Sequence, residues 1–285
     1  MTAQIIKGLP VANAIREELI PKVKDLVAKG IQPKLAVVLA GGDDASRVYA
    51  QSKQKIGDKL GIQVEIHVRP DEVTEGEIVK LIDELNADPK VHGILVELPL
   101  PKHIQKENVM NRLDPKKDVD GVHPVNRGYL LGGQEHLALV PATPLSCIEL
   151  IQRSGVELKG KRVTLVGRGD TVGRPLASLL IKRDATITVC HTKTVDMGAI
   201  CKAAEIVVAA AGSPGLVKVS MLSPGQIVID AGINQLPDNS IIGDVEPGAA
   251  DVVAFLTPVP GGVGSLTTSI IMSNLLKAIQ LQGLA

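Results

Sequence analysis

Lys161–Asp184, which reads KRVTLVGRGDTVGRPLASLLIKRD, is the stretch that decides the fold. Its β-branched run Val163–Val166 predicts a strand, and Pro175–Lys182 predicts a helix. Between them lie three glycines with Gly-x-Gly-x-x-x-Gly spacing, at Gly167, Gly169 and Gly173. Glycines let a backbone turn tightly beside a pyrophosphate, and a helix N-terminus attracts its negative charge. The order of strand, glycine turn and helix therefore predicts a Rossmann-type dinucleotide-binding unit, although the spacing alone is weak among 28 glycines.

The composition around this unit is that of a globular protein that binds neither nucleic acid nor membrane. Of 285 residues 45% are hydrophobic, and 31 basic residues balance 31 acidic ones. Zero net charge gives no field that attracts nucleic acid or an anionic membrane, and two tyrosines and one phenylalanine are too few to stack bases. We see neither a leader-like N-terminus nor an apolar run of ~18 residues, so we expect a cytoplasmic protein.

The cysteines and histidines show no spacing that suggests a metal site. The cysteines are odd in number and form no CxxC pair, at Cys147, Cys190 and Cys201. The six histidines are scattered along the chain without ligand-like spacing. We therefore expect no bound metal, and reduced cysteines in the protein interior.

Strands and helices alternate along the chain, which predicts an α/β fold with parallel pairing. In the first half we predict strands Lys34–Ala40, Ile62–Val68 and Val91–Val96, helices Ala45–Leu60 and Glu75–Asn86, and a turn at 41–44. In the second half we predict strands Ala185–Cys190, Ile206–Ala211, Gln226–Ala231 and Val252–Leu256. We place an N-terminal α/β domain at residues 1–144 and a doubly wound Rossmann domain at 145–265, beginning with a helix near Leu145. The closing helix in 266–285 is expected to pack back on the first domain.

The second strand of the nucleotide unit predicts NADP rather than NAD. An acidic residue at its end would bind the ribose hydroxyls of NAD, but the strand ends in Cys190-His191-Thr192-Lys193 without one. Thr192 and Arg168 could both reach a 2′-phosphate, whereas Asp170 would oppose its charge. The alternative is that Arg168 and Thr192 only cap neighbouring elements.

Tyr49 and Lys53 lie four residues apart in the predicted helix Ala45–Leu60, so they share one face. A phenol beside a desolvated amine is suited to proton transfer. The alternative on spacing alone is a solvated lysine face formed with Lys55 and Lys59. Asp118 and Asp120 can likewise be read as an ordinary polar turn.

These segments together carry a family resemblance that covers almost the whole chain. In the first half they are Ser46-Arg47-Val48-Tyr49 with Lys53 and Lys55, Leu98-Pro99-Leu100-Pro101 and Lys117-Asp118-Val119-Asp120-Gly121. In the second half they are Val166-Gly167-Arg168, Val172-Gly173-Arg174-Pro175, Cys190-His191-Thr192, Asp230-Ala231-Gly232-Ile233-Asn234, Gly243-Asp244-Val245 and Thr257–Gly264. The chain resembles the bifunctional methylenetetrahydrofolate dehydrogenase/cyclohydrolase family.

The resemblance implies two α/β domains with a folate cleft between them, the second a Rossmann domain that binds NADP, and a homodimer. It implies oxidation of 5,10-methylenetetrahydrofolate to the methenyl cation, followed by addition of water to give 10-formyltetrahydrofolate. On the substrate side it implies catalysis by Lys53, a folate contact from Tyr49, a grip on the pterin by Asp120, and contacts from Leu98, Pro258, Gly261 and Gly262. On the cofactor side it implies contacts from Gly167, Arg168, Gly169, Gly173, Thr192 and Ile233.

Glu97 is the main departure from the family pattern, which usually has glutamine there in contact with the lysine. A carboxylate close to Lys53 favours the ammonium form and leaves a poor base. We therefore expect the dehydrogenase reaction to survive and hydrolysis to be weakened, unless Glu97 itself serves as the base or stays protonated. Gly169, where a serine often helps to bind the 2′-phosphate, makes the NADP preference less secure.

Two other functions are compatible with the fold. One is a different two-domain dehydrogenase that acts on an amino acid or a shikimate-like acid, which would need a cationic pocket for the substrate carboxylate. The other is a nucleotide-binding protein without turnover. Retention of Tyr49, Lys53 and Asp120 argues against the second, and the folate-like motifs of the first domain argue against both.

Overall fold

The computed structural model describes residues 2–41 and 44–285, and for residues 44–46 the backbone only. Gly42 and Asp43 of the predicted turn, and the side chain of Ser46 in the first motif, lie outside the described residues. The elements in chain order are β1 (Gln4–Ile5), α1 (Gly8–Ala28), β2 (Lys34–Ala40), α2 (Asp44–Leu60), β3 (Gln63–Arg69), α3 (Glu75–Ala87), β4 (Gly93–Val96), α4 (Lys106–Met110), α5 (Pro124–Leu131), α6 (Ala142–Arg153), β5 (Arg162–Val166), α7 (Gly173–Lys182), β6 (Thr186–Cys190), α8 (Met197–Ala203), β7 (Ile206–Ala209), β8 (Ile227–Asp230), β9 (Asn234–Gln235), β10 (Ile241–Ile242), β11 (Phe255–Leu256) and α9 (Thr267–Leu281).

The chain divides into two compact units, each named here by its sheet. The three-stranded unit comprises Ala14–Val140 and Thr268–Ala285, and the six-stranded unit comprises the chain up to Asn13 together with Pro141–Thr267. Residues 2–13, which the sequence analysis placed in the N-terminal domain, thus fall in the unit of the second sheet. The physical reason is the parallel pairing of β1 with β11, in which Gln4 lies opposite Phe255.

The three-stranded unit is built on the apolar strand β2. It pairs in parallel with β3 on one side and β4 on the other, and six of its seven residues are buried. A continuous apolar strand of this kind is typical of a parallel sheet that is covered on both faces. The helix α3 packs its buried side chains Ile78, Leu81, Ile82 and Leu85 into the core that β2 and β4 share. The end of β4, at Val96, is therefore held firmly by the core, and Glu97 follows directly after it.

The six-stranded unit is a parallel sheet in the order β1-β11-β8-β7-β5-β6. The strand β5 lies between β6 and β7, so the connections leave it in opposite directions. A topological switch point of this kind places a crevice at the carboxyl ends of the strands, which is where ligands bind in open α/β sheets. The sequence prediction of a Rossmann-type sheet is confirmed.

Several predicted boundaries shift in the structure. The helix α6 begins at Ala142, three residues before the predicted Leu145, because Pro144 is tolerated in a first helical turn, where a missing N–H costs nothing. The last predicted strand, Val252–Leu256, shrinks to β11 because a 3₁₀ turn at Ala249–Asp251 precedes it. The sequence analysis missed the short helices α4 and α5 and the β9–β10 hairpin. Within the described residues, none of the helices combines the length and hydropathy that crossing a bilayer requires.

Candidate active site

Lys53 is the centre of the candidate site in the three-stranded unit. It lies on α2, and only 1% of its surface is exposed, whereas Lys55 and Lys59 on the same helix are solvent-exposed. The alternative of a fully solvated lysine face is therefore wrong for Lys53 and right for the other two. A buried amine needs a counter-charge or a hydrogen-bond partner, because leaving it bare in the interior costs several kcal/mol.

Two side chains, Glu97 and Tyr49, contact the Lys53 amine. Its Nζ lies 2.6 Å from Oε1 of Glu97 and 3.5 Å from the centre of the Tyr49 ring. A cation over an aromatic face is attracted by the ring quadrupole, and a carboxylate at this distance forms a close ion pair. The spacing argument that put Tyr49 and Lys53 on one helical face is thus confirmed, and Glu97 lies next to Lys53 as the family pattern indicated.

Glu97 owes its place to the end of β4. Its N–H donates to the Val38 carbonyl at 2.9 Å, so the ladder between β2 and β4 continues one residue past the strand. The Glu97 side chain is 13% exposed, and Leu98, which follows it, is 36% exposed. A parallel strand directs the residue at its carboxyl end to the edge where ligands bind. The charge pair therefore has one fully buried partner and one that reaches the surface.

Asp120 lies in a loop held by two buried charged neighbours. Lys117 Nζ donates to the carbonyls of Leu85, Asn86 and Asp88 at the end of α3, and burial lowers its pKa. Asp118 is fully buried, and its Oδ2 accepts from the His123 N–H and the Asn126 amide at 2.8 and 2.9 Å. Burial is the dominant effect on Asp118 and raises its pKa. Asp118 therefore supports the loop from inside, while Asp120 is only half-buried.

The six-stranded unit has a cavity of about 390 Å³ at the carboxyl ends of three neighbouring strands. The ends of β5, β6 and β7 contribute Val166, Cys190 and Ala210 to its lining. The predicted residues Gly167, Arg168, Gly169 and Thr192 line the same cavity. The structure thus brings together four of the six residues that the resemblance assigned to the cofactor.

The three glycines of the nucleotide turn have different physical roles. Gly167 has φ +119°, and a side chain there would overlap the Ala210 carbonyl oxygen. A side chain at Gly173 would meet the backbone of Gly167 and Arg168. Gly169 has no protein atom within 4 Å of a Cβ placed on it, so nothing in the protein itself requires glycine there. Gly167 and Gly173 shape the turn, and Gly169 leaves space that faces the cavity.

The charges around the cavity favour a phosphate more than the sequence alone indicated. Asp170, the residue expected to oppose a 2′-phosphate, forms an ion pair with Arg174 at 2.8 Å. His191 accepts the Lys193 N–H at 3.1 Å and donates its own N–H to Thr194, which shapes the turn that carries Thr192. The carboxylate of Asp170 is therefore matched by a neighbouring cation on α7 rather than left to face the cavity alone.

The other predicted residues of the six-stranded unit lie outside the cavity lining. Gly173 stands behind the turn, and Ile233 is 64% exposed on the segment after β8. Pro258, Gly261 and Gly262 belong to the loop after β11, where the Gly261 carbonyl accepts the Gly8 N–H at 2.8 Å. The sequence analysis missed Thr194, Met197, Ala211 and Leu216, which do line the cavity. Thr194 and Met197 follow the predicted strand that ends at Cys190, and Ala211 and Leu216 lie at or after the end of the predicted strand Ile206–Ala211. These two predicted strand ends were the signal that could have found them.

The structure places Cys147, Cys190 and Cys201 in the interior of the six-stranded unit. All three are buried and free of disulfides, as expected. Burial raises the pKa of Cys147 and of Cys201 to about 12, so both thiols stay protonated. Among the described residues, no three histidine, cysteine or acidic side chains gather in a metal-binding arrangement.

Comparison with known proteins assigns both units to one family. The family model described as "tetrahydrofolate dehydrogenase/cyclohydrolase, catalytic domain" matches residues 6–120. The model of the NAD(P)-binding domain of the same family matches residues 141–283. The bifunctional protein FolD 2 of Desulfitobacterium hafniense is 55% identical over 98% of this chain and 98% of its own length.

Solved structures give the same result at lower identity. The bifunctional methylenetetrahydrofolate dehydrogenase/cyclohydrolase of Campylobacter jejuni is 38% identical with a TM-score of 0.93, covering 98% of this chain and 99% of its own. The Trypanosoma brucei enzyme, solved with NADP cofactor and an inhibitor, is 37% identical with a TM-score of 0.93 and full coverage of both chains. From the cavity, the buried Lys53 and these matches it follows that the chain belongs to the tetrahydrofolate dehydrogenase/cyclohydrolase family.

Proposed function

We propose that this protein oxidises 5,10-methylenetetrahydrofolate to 5,10-methenyltetrahydrofolate by hydride transfer to NADP⁺. Family membership along nearly the whole chain supports the reaction, and the NADP-bound Trypanosoma relative supports the cofactor. The observation that carries the proposal is the buried Lys53, whose amine is enclosed by the Tyr49 ring and the Glu97 carboxylate. Such a desolvated, charge-paired group at a matching family position is typical of an active site.

On the cofactor side, the glycine turn would receive the pyrophosphate. Gly167 and Gly173 shape the turn, and the bare Gly169 lets a ligand approach the backbone closely. Arg168 and Thr192 would bind the 2′-phosphate, which favours NADP over NAD. The ion pair between Asp170 and Arg174 supports this preference, because it reduces the repulsion between Asp170 and an added phosphate. Bound NADP⁺ supplies the hydride acceptor.

On the substrate side, we assign Asp120 to the pterin, Tyr49 and Leu98 to the folate ring system, and Pro258, Gly261 and Gly262 to a loop that closes on the folate. The family pattern supports these roles. The half-buried position of Asp120 on a loop anchored by Lys117 and Asp118 suits a carboxylate that must stay in place while it accepts hydrogen bonds.

Hydride loss and hydrolysis make different demands on these residues. The lone pair of the neighbouring nitrogen drives hydride loss from the methylene carbon, so that step needs alignment more than a strong base. Hydrolysis of the methenyl cation needs a group that removes a proton from water or moves one between the two nitrogens, which is the role of Lys53. Glu97 Oε1 lies 2.6 Å from the lysine Nζ and engages the amine in an ion pair, so we propose that hydrolysis is weakened.

The second candidate is a fully bifunctional enzyme. The relatives from Desulfitobacterium and Campylobacter favour it, since both are named as bifunctional proteins. In that case Glu97, which is 13% exposed and in contact with Lys53, itself accepts the proton during hydrolysis. The two candidates predict different products from the same substrate.

A paired assay separates these possibilities. Purified protein is given methylenetetrahydrofolate with NADP⁺ or NAD⁺, and reduced cofactor, methenyl compound and 10-formyl compound are measured separately. Methenyl compound that accumulates in step with NADPH supports a dehydrogenase with weakened hydrolysis. Formyl product without methenyl build-up supports the bifunctional alternative. Failure to reduce either cofactor contradicts the proposed function.

Glu97→Gln tests the role of the carboxylate directly. The amide keeps the size of the side chain but removes the charge next to Lys53, so we expect hydrolysis of the methenyl compound to rise about tenfold or more. Glu107→Gln, on α4 in the same unit, is the matched control for a general charge effect. Unchanged hydrolysis in Glu97→Gln would defeat the proposal that Glu97 restrains the lysine.

Quaternary structure and location remain predictions. We propose a cytoplasmic homodimer on the basis of composition and family pattern. Sedimentation equilibrium of the purified protein at micromolar concentration tests the dimer, and a mass of one chain, 30.0 kDa, would contradict it.

A further inference from the structure

Two sequence motifs of the six-stranded unit have no role in the proposed function, except that Ile233 is assigned to the cofactor. These are Asp230-Ala231-Gly232-Ile233-Asn234 and Gly243-Asp244-Val245. Both acidic residues are buried, with 4% of Asp230 and none of Asp244 exposed. A buried carboxylate is costly unless hydrogen bonds compensate for lost water, so each is expected to have several donors.

Asp230, the last residue of β8, fastens the two motifs to each other. Its carboxylate accepts N–H groups from Gly232 at 2.9 Å, from Asp244 at 3.0 Å and from Val245 at 2.9 Å. A side chain at Gly243 would overlap this carboxylate, which explains the glycine at that position. The second motif is thereby held at the carboxyl end of β8, although it is more than ten residues away in sequence.

Asp244 in turn binds the segment that follows β7, the strand that pairs with β5 next to the glycine turn. Its Oδ2 accepts N–H groups from Ala211 at 2.6 Å and Gly212 at 2.9 Å. Its Oδ1 accepts the Ser213 N–H at 2.8 Å and the side-chain amide of Asn234 at 2.9 Å. Four donors thus converge on one carboxylate, and a side chain at Gly232 would overlap it. An arrangement with this many charge-assisted hydrogen bonds is rigid.

The segments held by Asp244 are those that border the nucleotide cavity. Ala210 and Ala211 line that cavity, and the Ala210 carbonyl is the atom against which Gly167 packs. On the other side, Asn234 directly follows Ile233, the exposed residue assigned to the cofactor. The Asp244 carboxylate therefore fixes the positions of two segments, the cavity wall that follows β7 and the segment that follows β8.

We propose that Asp244 is a positioning residue for the dinucleotide, which acts through the turn Ala211–Ser213 and through Asn234 rather than by contact with the cofactor. The inference rests on the proposed function. It predicts that loss of the Asp244 carboxylate weakens cofactor binding in addition to any effect on stability. It also gives the two unassigned motifs a common role.

The test compares Asp244→Asn with Gln226→Met. Asn at 244 keeps the shape but turns an NH₂ group towards N–H donors, so at least two of four hydrogen bonds are lost. Gln226 is also buried and also makes four backbone hydrogen bonds, to Cys201, Lys202, Ser223 and Ala204, but it lies at the opposite end of the sheet, just before β8. It therefore controls for the loss of a buried polar group that does not border the cavity.

Calorimetric titration with NADP⁺ in the absence of folate, together with thermal unfolding, provides the readouts. We expect both variants to lose thermal stability, and only Asp244→Asn to raise the NADP⁺ dissociation constant, by about tenfold. If Asp244→Asn does not fold, Asn234→Ala removes only one donor and is expected to raise that constant about threefold.

Three outcomes are informative. Equal NADP⁺ affinity in unaltered protein, Asp244→Asn and Asn234→Ala would overturn the positioning role. An equal loss of affinity in Gln226→Met would also overturn it, because the effect would then be one of general stability. Failure of the unaltered protein to bind NADP⁺ or NAD⁺ would instead contradict the proposed function.

Discussion

The candidate sites of the two units are built by opposite means. In the three-stranded unit the site consists of side chains, with the Lys53 amine between the Tyr49 ring and the Glu97 carboxylate. In the six-stranded unit the cavity is shaped by backbone, because Gly167 and Gly173 are packed against neighbouring main chain and Asp244 binds three successive N–H groups. The first arrangement is the one we propose for proton transfer, and the second shapes the cavity proposed for the dinucleotide.

This difference indicates which substitutions should change the chemistry and which should change ligand binding. A side chain that makes a charge pair can be replaced by one of similar volume, with the backbone left in place. A glycine that permits a left-handed φ or a close approach cannot be replaced without moving the backbone itself.

The largest effect is expected from Lys53→Met. Methionine fills the buried space without the amine, so the group proposed to move the proton during hydrolysis is removed. In the Glu97→Gln background, where hydrolysis is expected to be strongest, methenyl hydrolysis should fall roughly 10²- to 10⁴-fold. NADP⁺ affinity, measured by calorimetry, should stay the same because the residue belongs to the other unit.

Lys55→Met is the matched control, since Lys55 lies on the same helix but is exposed. It should leave hydrolysis unchanged. Full hydrolysis in Lys53→Met would show that the amine is not the proton carrier.

An intermediate effect is expected from Gly167→Ala in the six-stranded unit. The added methyl group would overlap the Ala210 carbonyl at a φ of +119°, which forces the turn to move. We expect a lower unfolding temperature and NADP⁺ affinity reduced about tenfold.

Gly169→Ala provides the contrast within the same turn, because no protein atom lies within 4 Å of its added Cβ. It should keep the unfolding temperature, and any loss of NADP⁺ affinity in it must come from contact with the ligand. A lowered unfolding temperature in Gly169→Ala as large as that in Gly167→Ala would refute the distinction between shaping and ligand-facing glycines.

The smallest effect is expected from Asp118→Asn. Burial raises the pKa of Asp118, so the folded protein binds its proton more tightly than the unfolded chain does. The resulting stability is fully present below the unfolded pKa of about 4 and is lost as pH rises through the higher folded pKa.

Asparagine cannot ionise, so urea unfolding between pH 3 and pH 8 should show a smaller decline in stability with rising pH for the variant. Identical pH profiles would mean that Asp118 does not titrate differently in the folded state. Asp114→Asn, on the same loop, controls for a general change in acidity.

Local sequence patterns determined the order of the main strands and helices, the glycine turn, and the shared face of Tyr49 and Lys53. They could do so because helical and strand periodicities, and the backbone freedom of glycine, act over a few residues. The end of the second strand of the nucleotide unit also pointed to Arg168 and Thr192, and the family motifs added the role of Asp120 and the importance of Glu97.

Only the tertiary structure decided which of these residues are buried and what they contact. Periodicity made Lys53, Lys55 and Lys59 equivalent, and packing of α2 buried just the first. The Asn274 amide reaches the carbonyls of Val119 and Val140, 155 and 134 residues away, and Asp244 reaches the turn at Ala211 across 33 residues. Such contacts depend on how distant segments meet in space, which no local pattern encodes, because the free energy that selects them comes from burial and hydrogen bonding in the folded unit as a whole.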